Sequence, residues 1–437
     1  MLSLVTSFLE VVQPLSWAMS APVYRLFLIV LTGWIFSGRR TLSAMLVTVG
    51  VAGKRHHAAF YRVFSSARWG MDQVGLIVFE ILRPLLAEGS VALALDDTLA
   101  HKRGLKVFGA GMHRDPLFST RKKPVLAWGH DWVILAVIVR LPCCPDRVFS
   151  LPILCRLFLN HDAAARARRA YRTRPELATE LLHRLCETHP SLRFHVFADS
   201  AYGGESVLGH LPQNCDLTSR LPLDARLYDP PAARKPGVAG RPRKRGARLA
   251  SPQQMLQQRA RRETLGIYGR KERVRLVETV ARWHGVPDRP LRIVAIDPLA
   301  GGRPAQAFYS TCAEEAGKQV LVGYSARWSI EEANQAAKSH LGFEEPQAWS
   351  RLAVLRTAPI AMLLYSLILV WFARDGHRCY RPPTRPWYPT KTQPSFADML
   401  LTLRRESLLA IISQHVGLKD LPQNLVESLF RAAQIPA

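Results

Sequence analysis

The sequence is poor in cysteine and has none of the cysteine pairs that mark common zinc or redox sites. Its 437 residues include seven cysteines, and no two of them form a Cys-x-x-Cys pair. An odd number of cysteines cannot pair completely within one chain, and the missing pairs exclude the usual structural zinc motifs. The pattern is typical of a reduced cytoplasmic protein, and we expect no structural zinc.

Long hydrophobic runs are also missing. The two most apolar stretches, residues 26–36 and 358–372, are shorter than the ~20 residues that a bilayer requires. The N-terminal apolar segment has no basic residue before it, as a signal peptide would have. We therefore expect two buried helices and no membrane partner.

Acidic residues are scarce relative to basic residues. The chain has 34 Asp and Glu against 59 Lys and Arg, which gives a net charge of +25 at pH 7. Such an excess favours a polyanionic partner, because each neutralised phosphate releases condensed counterions. Charge alone does not distinguish DNA from RNA or from an acidic membrane. The hydrophobic content of 48% excludes a disordered chain, and the length predicts two or three domains.

Residues 1 to about 85 have the pattern of helices. Residues 39–50 and 54–69 flank Val51-Ala-Gly and predict a helix, a tight turn and a second helix. The second helix is predicted to expose Arg55, His56, Tyr61 and Arg62 and to bury Ala58, Ala59 and Phe64. This layout is typical of a helix-turn-helix DNA reader, but an ordinary basic surface helix has the same pattern. Both interpretations stay open.

From residue 91 the pattern changes to strands. Residues 91–96 and 194–204 each contain a short apolar run that ends in an acid, and a polar helical stretch at about 162–188 separates them. Residues 125–142 predict two further strands joined by a turn at 129–131. Strands, helix and strand in this order predict an α/β core around a mixed sheet.

Residues 226–275 carry much of the excess charge, with 15 Lys and Arg against 3 Asp and Glu. Gly240-Arg241-Pro242 and the following Arg243, Lys244 and Arg245 resemble an AT-hook, which would lie in a narrow minor groove. We favour the simpler alternative, a loop that binds phosphates without base preference. Strand-like segments at 274–283, 291–297 and 307–312 predict a β-rich insertion, and helices are predicted at 314–341 and 352–373.

These patterns predict five segments. They are a helical DNA-binding domain at 1–88, the first part of the core at 89–222, a basic β-rich insertion at 223–312, the C-terminal core helices at 313–376, and a Pro-rich linker with a helical tail at 377–437.

The acids that end the two strands are candidate metal ligands. Asp97 and Asp199 would meet if their strands are neighbours, and Mg²⁺ prefers such hard oxygen ligands. Residues 323–342 predict one helix. At about 100° per residue it places Tyr324, Arg327, Glu331 and Lys338 on one narrow face, with Glu332 about 100° away from Glu331. This mixture of residues on one face is explained if Glu331 binds a metal ion and the other three hold a phosphate backbone beside it. A solvated face with internal ion pairs is the alternative.

Tyr324, Arg327, Glu331 and Lys338 fit Y-x2-R-x3-E-x6-K, and this pattern resembles the signature of DDE transposases of bacterial insertion sequences. ALDDT at 94–98 and FADSAYG at 197–203 resemble the strands that carry their first and second aspartates. The long gap between Asp199 and Glu331 is similar to members with a β-strand insertion there. Asp96 competes with Asp97 for the first position. We choose Asp97, because an acid directly before Thr matches the family spacing better.

The resemblance implies an RNase H-like core in which Asp97, Asp199 and Glu331 hold two Mg²⁺ ions, with Mn²⁺ able to substitute. It implies cleavage at transposon ends and strand transfer into double-stranded target DNA, by a homodimer in the bacterial cytoplasm that associates with the nucleoid. The expected DNA contacts are Tyr324, Arg327, Lys338, Arg241, Arg243, Lys244, Arg245, Arg55 and Arg62. The alternatives are a catalytically silent, transposase-derived DNA-binding protein and a nuclease of the same fold. Some relatives trap a flipped base with a tryptophan in the insertion, and Trp283 does not fit that place, so hairpin formation is not predicted.

Overall fold

The computed structural model describes residues 2–120, 122–231, 245–267, 269–301, 303–382 and 393–415. The chain begins with a group of helices and two short 3-10 turns. The helices are α1 Thr6–Val12, α2 Ala21–Phe36, α3 Leu42–Val49, α4 Ala58–Ser65 and α5 Met71–Leu82, and the turns are Gln13–Ala18 and Arg83–Leu85. The all-helical character predicted for this segment is therefore observed.

Eleven strands follow among the described residues, and all of them belong to one sheet. They are β1 Val91–His101, β2 Gly111–Arg114, β3 Leu126–Leu141, β4 Cys144–Phe158, β5 Phe194–Ala198, β6 Cys215–Leu221, β7 Leu227–Tyr228, β8 Arg261–Ile267, β9 Arg270–Trp283, β10 Val286–Pro298 and β11 Gln306–Ser310. The strand order is β2-β3-β1-β5-β6-β11-β10-β9-β7, with β4 on β3 and β8 on β9.

The sheet is mixed. The β1–β5 and β5–β6 pairs are parallel, whereas β1–β3, β3–β4 and the strands from β11 onward pair antiparallel. The predicted α/β core with a mixed sheet is thus confirmed. The strands predicted as an insertion continue this sheet, because β11 pairs with β6.

The remaining helices lie between and after the strands. They are α6 His161–Arg166, α7 Arg174–Thr188, α8 Glu205–Leu208, α9 Pro252–Arg259, α10 Gly317–Ala326, α11 Ser329–Leu341, α12 Arg351–Trp371, α13 His377–Cys379 and α14 Phe396–His415. The single helical stretch predicted at 162–188 is two helices, α6 and α7. Thr173 begins α7 with a capping box, in which its hydroxyl accepts from the Glu176 N–H and the Glu176 carboxylate accepts from the Thr173 N–H.

Residues 351–379 form the longest apolar helical segment of the described chain. It is long and apolar enough to cross a membrane by length and composition, and 89% of its most apolar window is buried inside the protein. It is longer than the apolar stretch anticipated at 358–372, because α12 continues through a π-helical turn, Phe372–Gly376, into α13. α12 packs against α5, α4, α1, α11 and β4, so it is a central core helix.

The turn predicted at 129–131 is wrong, because residues 126–141 form one continuous strand. Gly129 lies opposite His101 of β1, and a Cβ at this position would come within 2.3 Å of the Ala100 carbonyl oxygen. The glycine therefore permits a close approach of two strands rather than a reversal of the chain. Asp131 is buried in this strand. Arg174 pairs with its carboxylate, which offsets the cost of burying the charge.

The α3–α4 pair matches most of the predicted helix-turn-helix layout. Gly50 ends α3 with a φ of 78°, in the left-handed region that favours glycine. Arg55, His56, Tyr61 and Arg62 are exposed and Phe64 is buried, as predicted, whereas Ala58 and Ala59 are only half-buried. α4 begins at Ala58, so Arg55 precedes the helix. DNA reading by this pair stays a prediction.

One hydrophobic core runs through all five predicted segments. The buried cluster extends from Leu4 in the helical region through the sheet to Leu403 in α14. The N-terminal helices therefore share a core with the sheet through α12. The division into five domains stays a prediction.

Two histidines, His130 and His195, are buried in the folded protein. Burial lowers the pKa of His130 and of His195 from 6.5 to about 4. Below about pH 6.5 the unfolded chain takes up protons that the folded protein does not, so the free energy of unfolding should fall until about pH 4. The loss is up to roughly 3 kcal/mol per histidine.

Thermal unfolding followed from about pH 7 to about pH 4 measures this loss. His195→Gln should flatten the pH dependence, whereas His56→Gln, at an exposed position, should leave it unchanged. Equal pH dependence in His195→Gln and the unmodified protein would contradict the assignment.

Candidate active site

Two adjacent acids, Asp96 and Asp97, lie in the middle of β1. The strand continues to His101, so neither acid ends it as the sequence predicted. Successive side chains of a strand project to opposite faces of the sheet. The two carboxylates therefore face different surroundings.

Asp96 faces the junction between α10 and α11. Arg327 lies there, 7% exposed, and its Nη1 donates to Asp96 Oδ2 at 3.0 Å. Its Nη2 donates to Glu331 Oε1 at 3.3 Å. One guanidinium thus joins a β1 carboxylate to a carboxylate in the first turn of α11, 235 residues further along the chain.

Asp199 lies beside this pair at the end of β5. β5 runs parallel to β1 with Ala198 in register with Leu95, which puts Asp199 next to Asp96 along the sheet. Asp199 begins a 3-10 turn, Ser200–Tyr202, and its Oδ1 accepts from the Ala201 N–H at 2.8 Å. The Ser219 hydroxyl holds the turn by donating to the Asp199 carbonyl oxygen at 2.8 Å.

The pKa directions agree with a crowded group of carboxylates. Burial raises the pKa of Asp96 to about 7, and Arg327 lowers it while the charges of Asp97 and Asp199 raise it further. Burial also raises the pKa of Glu331, against the lowering effect of Arg327, and Asp199 again adds to the rise. Asp199 raises the pKa of Asp96 and of Glu331, and it also raises that of Asp97, so its carboxylate lies within electrostatic reach of all three.

Asp97 lies in a different cluster on the other face of β1. Its Oδ1 accepts from the Tyr202 hydroxyl at 2.7 Å, and Arg174 Nε lies 3.8 Å from its Oδ2. Arg174 also pairs with Asp131, which is 2% exposed. Burial, followed by the charge of Asp131, raises the pKa of Asp97 to about 6.

These contacts distinguish the two acids of β1, and the choice of Asp97 as the first metal ligand stays a prediction. Arg327 joins Glu331 to Asp96, whereas Asp97 is bound to Tyr202 and faces Arg174. Arg327 thus links Asp96 to Glu331, while Asp199 lies within electrostatic reach of both β1 acids. The physical reason is the alternation of a strand, since the acid one position earlier is the one that faces α11.

The helix predicted at 323–342 is two helices. α10 ends at Ala326 and α11 begins at Ser329. Arg327 and Trp328 keep right-handed helical angles, and the hydrogen bonds across the junction span three residues instead of four. The chain therefore continues in nearly the same direction. Arg327 and Glu331 meet as the single-helix geometry predicted, and Glu332 points away toward Arg147.

Tyr324 and Lys338 make internal contacts. Tyr324 is 3% exposed and packs against Phe308, with the ring centroids 4.7 Å apart. Lys338 Nζ donates to the Leu99 carbonyl oxygen of β1 at 2.6 Å and lies 3.8 Å from Glu344. Lys338 thus ties α11 to β1, two residues beyond the paired acids. Whether either side chain also contacts DNA stays a prediction.

Of the other predicted DNA contacts, the structure describes Arg55, Arg62 and Arg245, which belong to other elements. Arg55 and Arg62 are exposed around α4, and Arg62 Nε donates to the Ala58 carbonyl oxygen at 3.3 Å. Arg245 lies 5.2 Å from the ring of Tyr228 and donates to the His284 carbonyl oxygen at 3.4 Å. Arg241, Arg243 and Lys244 lie outside the described residues.

The described residues contain no group of three or more His, Cys, Asp or Glu that is already arranged to hold a metal ion. Arg327 lies between two of the three carboxylates and offsets part of their charge. The donor chemistry nevertheless fits a hard divalent cation, because three carboxylates supply oxygen ligands and their mutual repulsion favours positive charge between them.

Three residues of the Asp97 cluster were missed from the sequence. Tyr202 lies within the FADSAYG segment, Asp131 lies where a turn is predicted, and Arg174 lies in the stretch predicted as a polar helix. Only Tyr202 carries a sequence signal, since it lies three residues after Asp199. The others are brought in by β3 and α7 and could not be found without the sheet register.

A comparison with protein-family models decides the family. The model described as "DDE superfamily endonuclease" matches residues 22–280, more than half of the chain. This chain belongs to the DDE superfamily of endonucleases. The matched segment includes Asp96, Asp97 and Asp199 and ends within β9, before Glu331. No curated protein matches the sequence.

A solved structure with a similar chain is the cryo-EM structure of a piggyBac transposase synaptic complex with hairpin DNA. It is 12% identical in sequence, with a TM-score of 0.41, and the likeness covers 95% of this chain and 77% of that chain.

Proposed function

We propose that this DDE-superfamily protein is a DNA transposase, which cuts the ends of a mobile element and joins them to target DNA in a metal-dependent reaction. The observation that carries the proposal is the meeting of three distant acids, Asp96, Asp199 and Glu331, around the buried Arg327. Three half-buried carboxylates that face one another repel and are costly to the fold, and metal-assisted phosphoryl transfer is a chemistry that uses such a group.

The sheet topology supports an RNase H-like core. The strand order β4-β3-β1-β5-β6 has three antiparallel strands followed by two that run parallel to β1. We propose that the strands β7 to β11 are the insertion expected between the second aspartate and the glutamate. They extend the core sheet at its β6 edge.

We propose Asp96, Asp199 and Glu331 as the residues that hold two Mg²⁺ ions, with Mn²⁺ as a substitute. When bound, such ions activate a water or a 3′-hydroxyl and stabilise the leaving oxygen. The protein contributes the geometry. Asp199 is fixed by its 3-10 turn and by Ser219, and Asp96 is fixed in a central strand. Once metal ions neutralise the carboxylates, the Arg327 guanidinium can turn from them and donate hydrogen bonds to a bound phosphate.

The proposed partners follow from this function. They are the double-stranded DNA of the element ends and of the target, with a second copy of the chain when two ends are paired. The proposed location is the bacterial cytoplasm, in association with the nucleoid. The net charge of +25 supports a nucleic-acid partner. The alternatives are a nuclease that cuts without joining and a catalytically silent DNA-binding protein derived from a transposase.

The proposal is tested with purified protein, Mg²⁺ and labelled duplexes taken from the DNA that flanks the reading frame. Cutting together with a joined product supports the transposase. Cutting alone would replace it with the nuclease, and binding without cutting would replace it with the silent DNA-binding protein. A scrambled duplex of equal length and composition is the control for end recognition.

Glu331→Gln is expected to lower the cleavage rate by on the order of 10³-fold, because it removes a charged ligand and keeps the shape of the side chain. Duplex binding measured without metal should remain within about threefold of the unmodified protein, since the carboxylate is not a phosphate contact. Glu187→Gln, which changes an exposed acid of α7 that pairs with His183 and does not line the site, is the matched control and should cut normally. Equal losses in the two variants would contradict the assignment of Glu331.

A further inference from the structure

A cleft beside the carboxylate group has many more cations than acids in its lining. It has a volume of about 830 Å³, and its floor is the α10–α11 junction, from Tyr324 to Ser329. Arg327 belongs both to this floor and to the carboxylate group, so the cleft opens directly beside the proposed catalytic residues. We name it the cationic cleft.

The walls come from separate parts of the sheet. Besides Arg327, the described lining residues include six cations: Arg140, Arg147, Arg220, Arg270, Lys271 and Arg303. Arg140 and Arg147 flank the β3–β4 hairpin turn, whereas Arg270 and Lys271 begin β9 after the β8–β9 turn. Arg220 is the penultimate residue of β6. The cations therefore come from several elements around the cleft.

The acids of the cleft do not balance this charge. Asp146 and Glu332 are the acidic residues among the described lining. Glu332 lies 3.5 Å from Arg147, and Asp146 accepts from Gln393 Nε2 at 3.4 Å. Arg303 pairs with Glu272, next to Lys271. Arg270, Lys271 and Arg220 are exposed in the cleft, so their charge is available to an incoming anion.

We propose that the cationic cleft binds the sugar–phosphate backbone of the DNA segment next to the phosphate that is cut. This inference rests on the proposed function and names a binding site for its substrate. Arginine suits phosphate because its planar fork donates two hydrogen bonds at once. The spread of cations over four strands and two hairpins fits an extended polyanion. A free nucleotide would need a compact group of donors around one phosphate cluster.

The β8–β9 hairpin gives the sharpest test, because Arg270 and Lys271 are exposed and make no contact with the carboxylate group. Arg270→Ala combined with Lys271→Ala removes two phosphate contacts. For duplex DNA the slope of log affinity against log salt should become less steep by about 1.8, at about 0.9 per contact. Affinity for a short duplex of random sequence, measured by fluorescence anisotropy in about 50–200 mM KCl without metal, should fall roughly tenfold or more.

Lys122→Ala combined with Lys123→Ala is the matched control. These two lysines are adjacent and exposed, lie between β2 and β3, and do not line the cleft. This pair should leave the salt slope unchanged. Melting temperatures of both double variants, compared with the unmodified protein, check that neither result reflects unfolding.

The possible outcomes distinguish a failure of the cleft assignment from a failure of the proposed transposase function. An unchanged slope in Arg270→Ala/Lys271→Ala would overturn the cleft assignment, even if the unmodified protein cuts DNA. A reduced slope with no cutting by the unmodified protein would support the cleft and contradict the transposase. Displacement of the duplex by polyglutamate at equal charge concentration would also overturn the proposal, because the cleft would then accept any polyanion. Persistence of the complex supports phosphate recognition.

Discussion

Asp96→Asn is expected to lower metal-dependent DNA cleavage by on the order of 10³-fold or more, whereas Asp97→Asn should keep it within about tenfold. The two variants change adjacent residues of one strand in the same chemical way. Asp96 lies 3.0 Å from Arg327 and shares it with Glu331, so its charge belongs to the proposed metal site. Asparagine keeps the shape of that side chain and removes its charge.

Asp97 acts through Tyr202. The Tyr202 hydroxyl donates to Asp97 at 2.7 Å, and Tyr202 closes the 3-10 turn that Asp199 begins. An asparagine oxygen can still accept this hydrogen bond, so Asp97→Asn should preserve the position of Asp199. Asp97→Ala and Tyr202→Phe each remove the bond and should lose activity by a similar factor, about 10–100-fold, as expected for groups that orient a ligand.

Two measurements check this assignment. The first is the rate of single-turnover cleavage at saturating DNA, which separates chemistry from binding. The second is Mn²⁺ binding by calorimetry, which should weaken strongly in Asp96→Asn and only slightly in Asp97→Asn. A reversed order of the two variants in both measurements would restore Asp97 as the ligand and refute the grouping of Asp96 with Glu331.

The sequence predicted much of the site because the acids carry local signals. Asp199 follows a short apolar strand and precedes glycines, and the structure places it at a strand end as expected. The spacing of Arg327 and Glu331 predicted a shared helix face, and the structure shows the two side chains in contact at 3.3 Å. That contact survives the break between α10 and α11 because the junction residues keep helical angles.

The choice between Asp96 and Asp97 could not be made in the same way. Alternation places the two acids on opposite faces of β1, but the sequence does not say which face receives α11. That face depends on the packing of α11 against β4, β1 and α12, which are distant in the chain. The turn predicted at Gly129 is wrong for a related reason. A glycine that allows two strands to approach closely and a glycine that forms a turn give the same signal in the sequence.

Arg356→Met is expected to lower the free energy of unfolding by about 3–5 kcal/mol, the largest effect on stability that we predict. Arg356 lies in α12 and is 6% exposed. Its guanidinium donates to the carbonyl oxygens of Phe64, Ala67 and Trp69 at 3.0, 2.9 and 2.5 Å, and to that of Val63 at 3.4 Å. These carbonyls belong to the end of α4 and to the segment that follows it.

The arrangement explains how a buried cation is tolerated. Burial lowers the pKa of Arg356, and the negative end of the α4 dipole favours positive charge at this place. The guanidinium also lies 4.4 Å from the ring of Trp69. Methionine fills a similar volume but donates no hydrogen bond, so several buried carbonyls would lose their partner. Arg356→Lys, which keeps the charge, should recover part of the loss.

Denaturant unfolding followed by far-UV circular dichroism measures the effect, and Arg62→Met is the matched control. Arg62 lies on the exposed side of α4, so its replacement should change the free energy by no more than about 0.5 kcal/mol. A loss below about 1 kcal/mol in Arg356→Met would contradict the structural role of the guanidinium.

The number of unfolding transitions in the same experiment tests the shared core. Because α1 to α5 share one core with the sheet, Arg356→Met should shift a single transition, whereas a separate early transition would mean that the N-terminal helices unfold as a domain of their own.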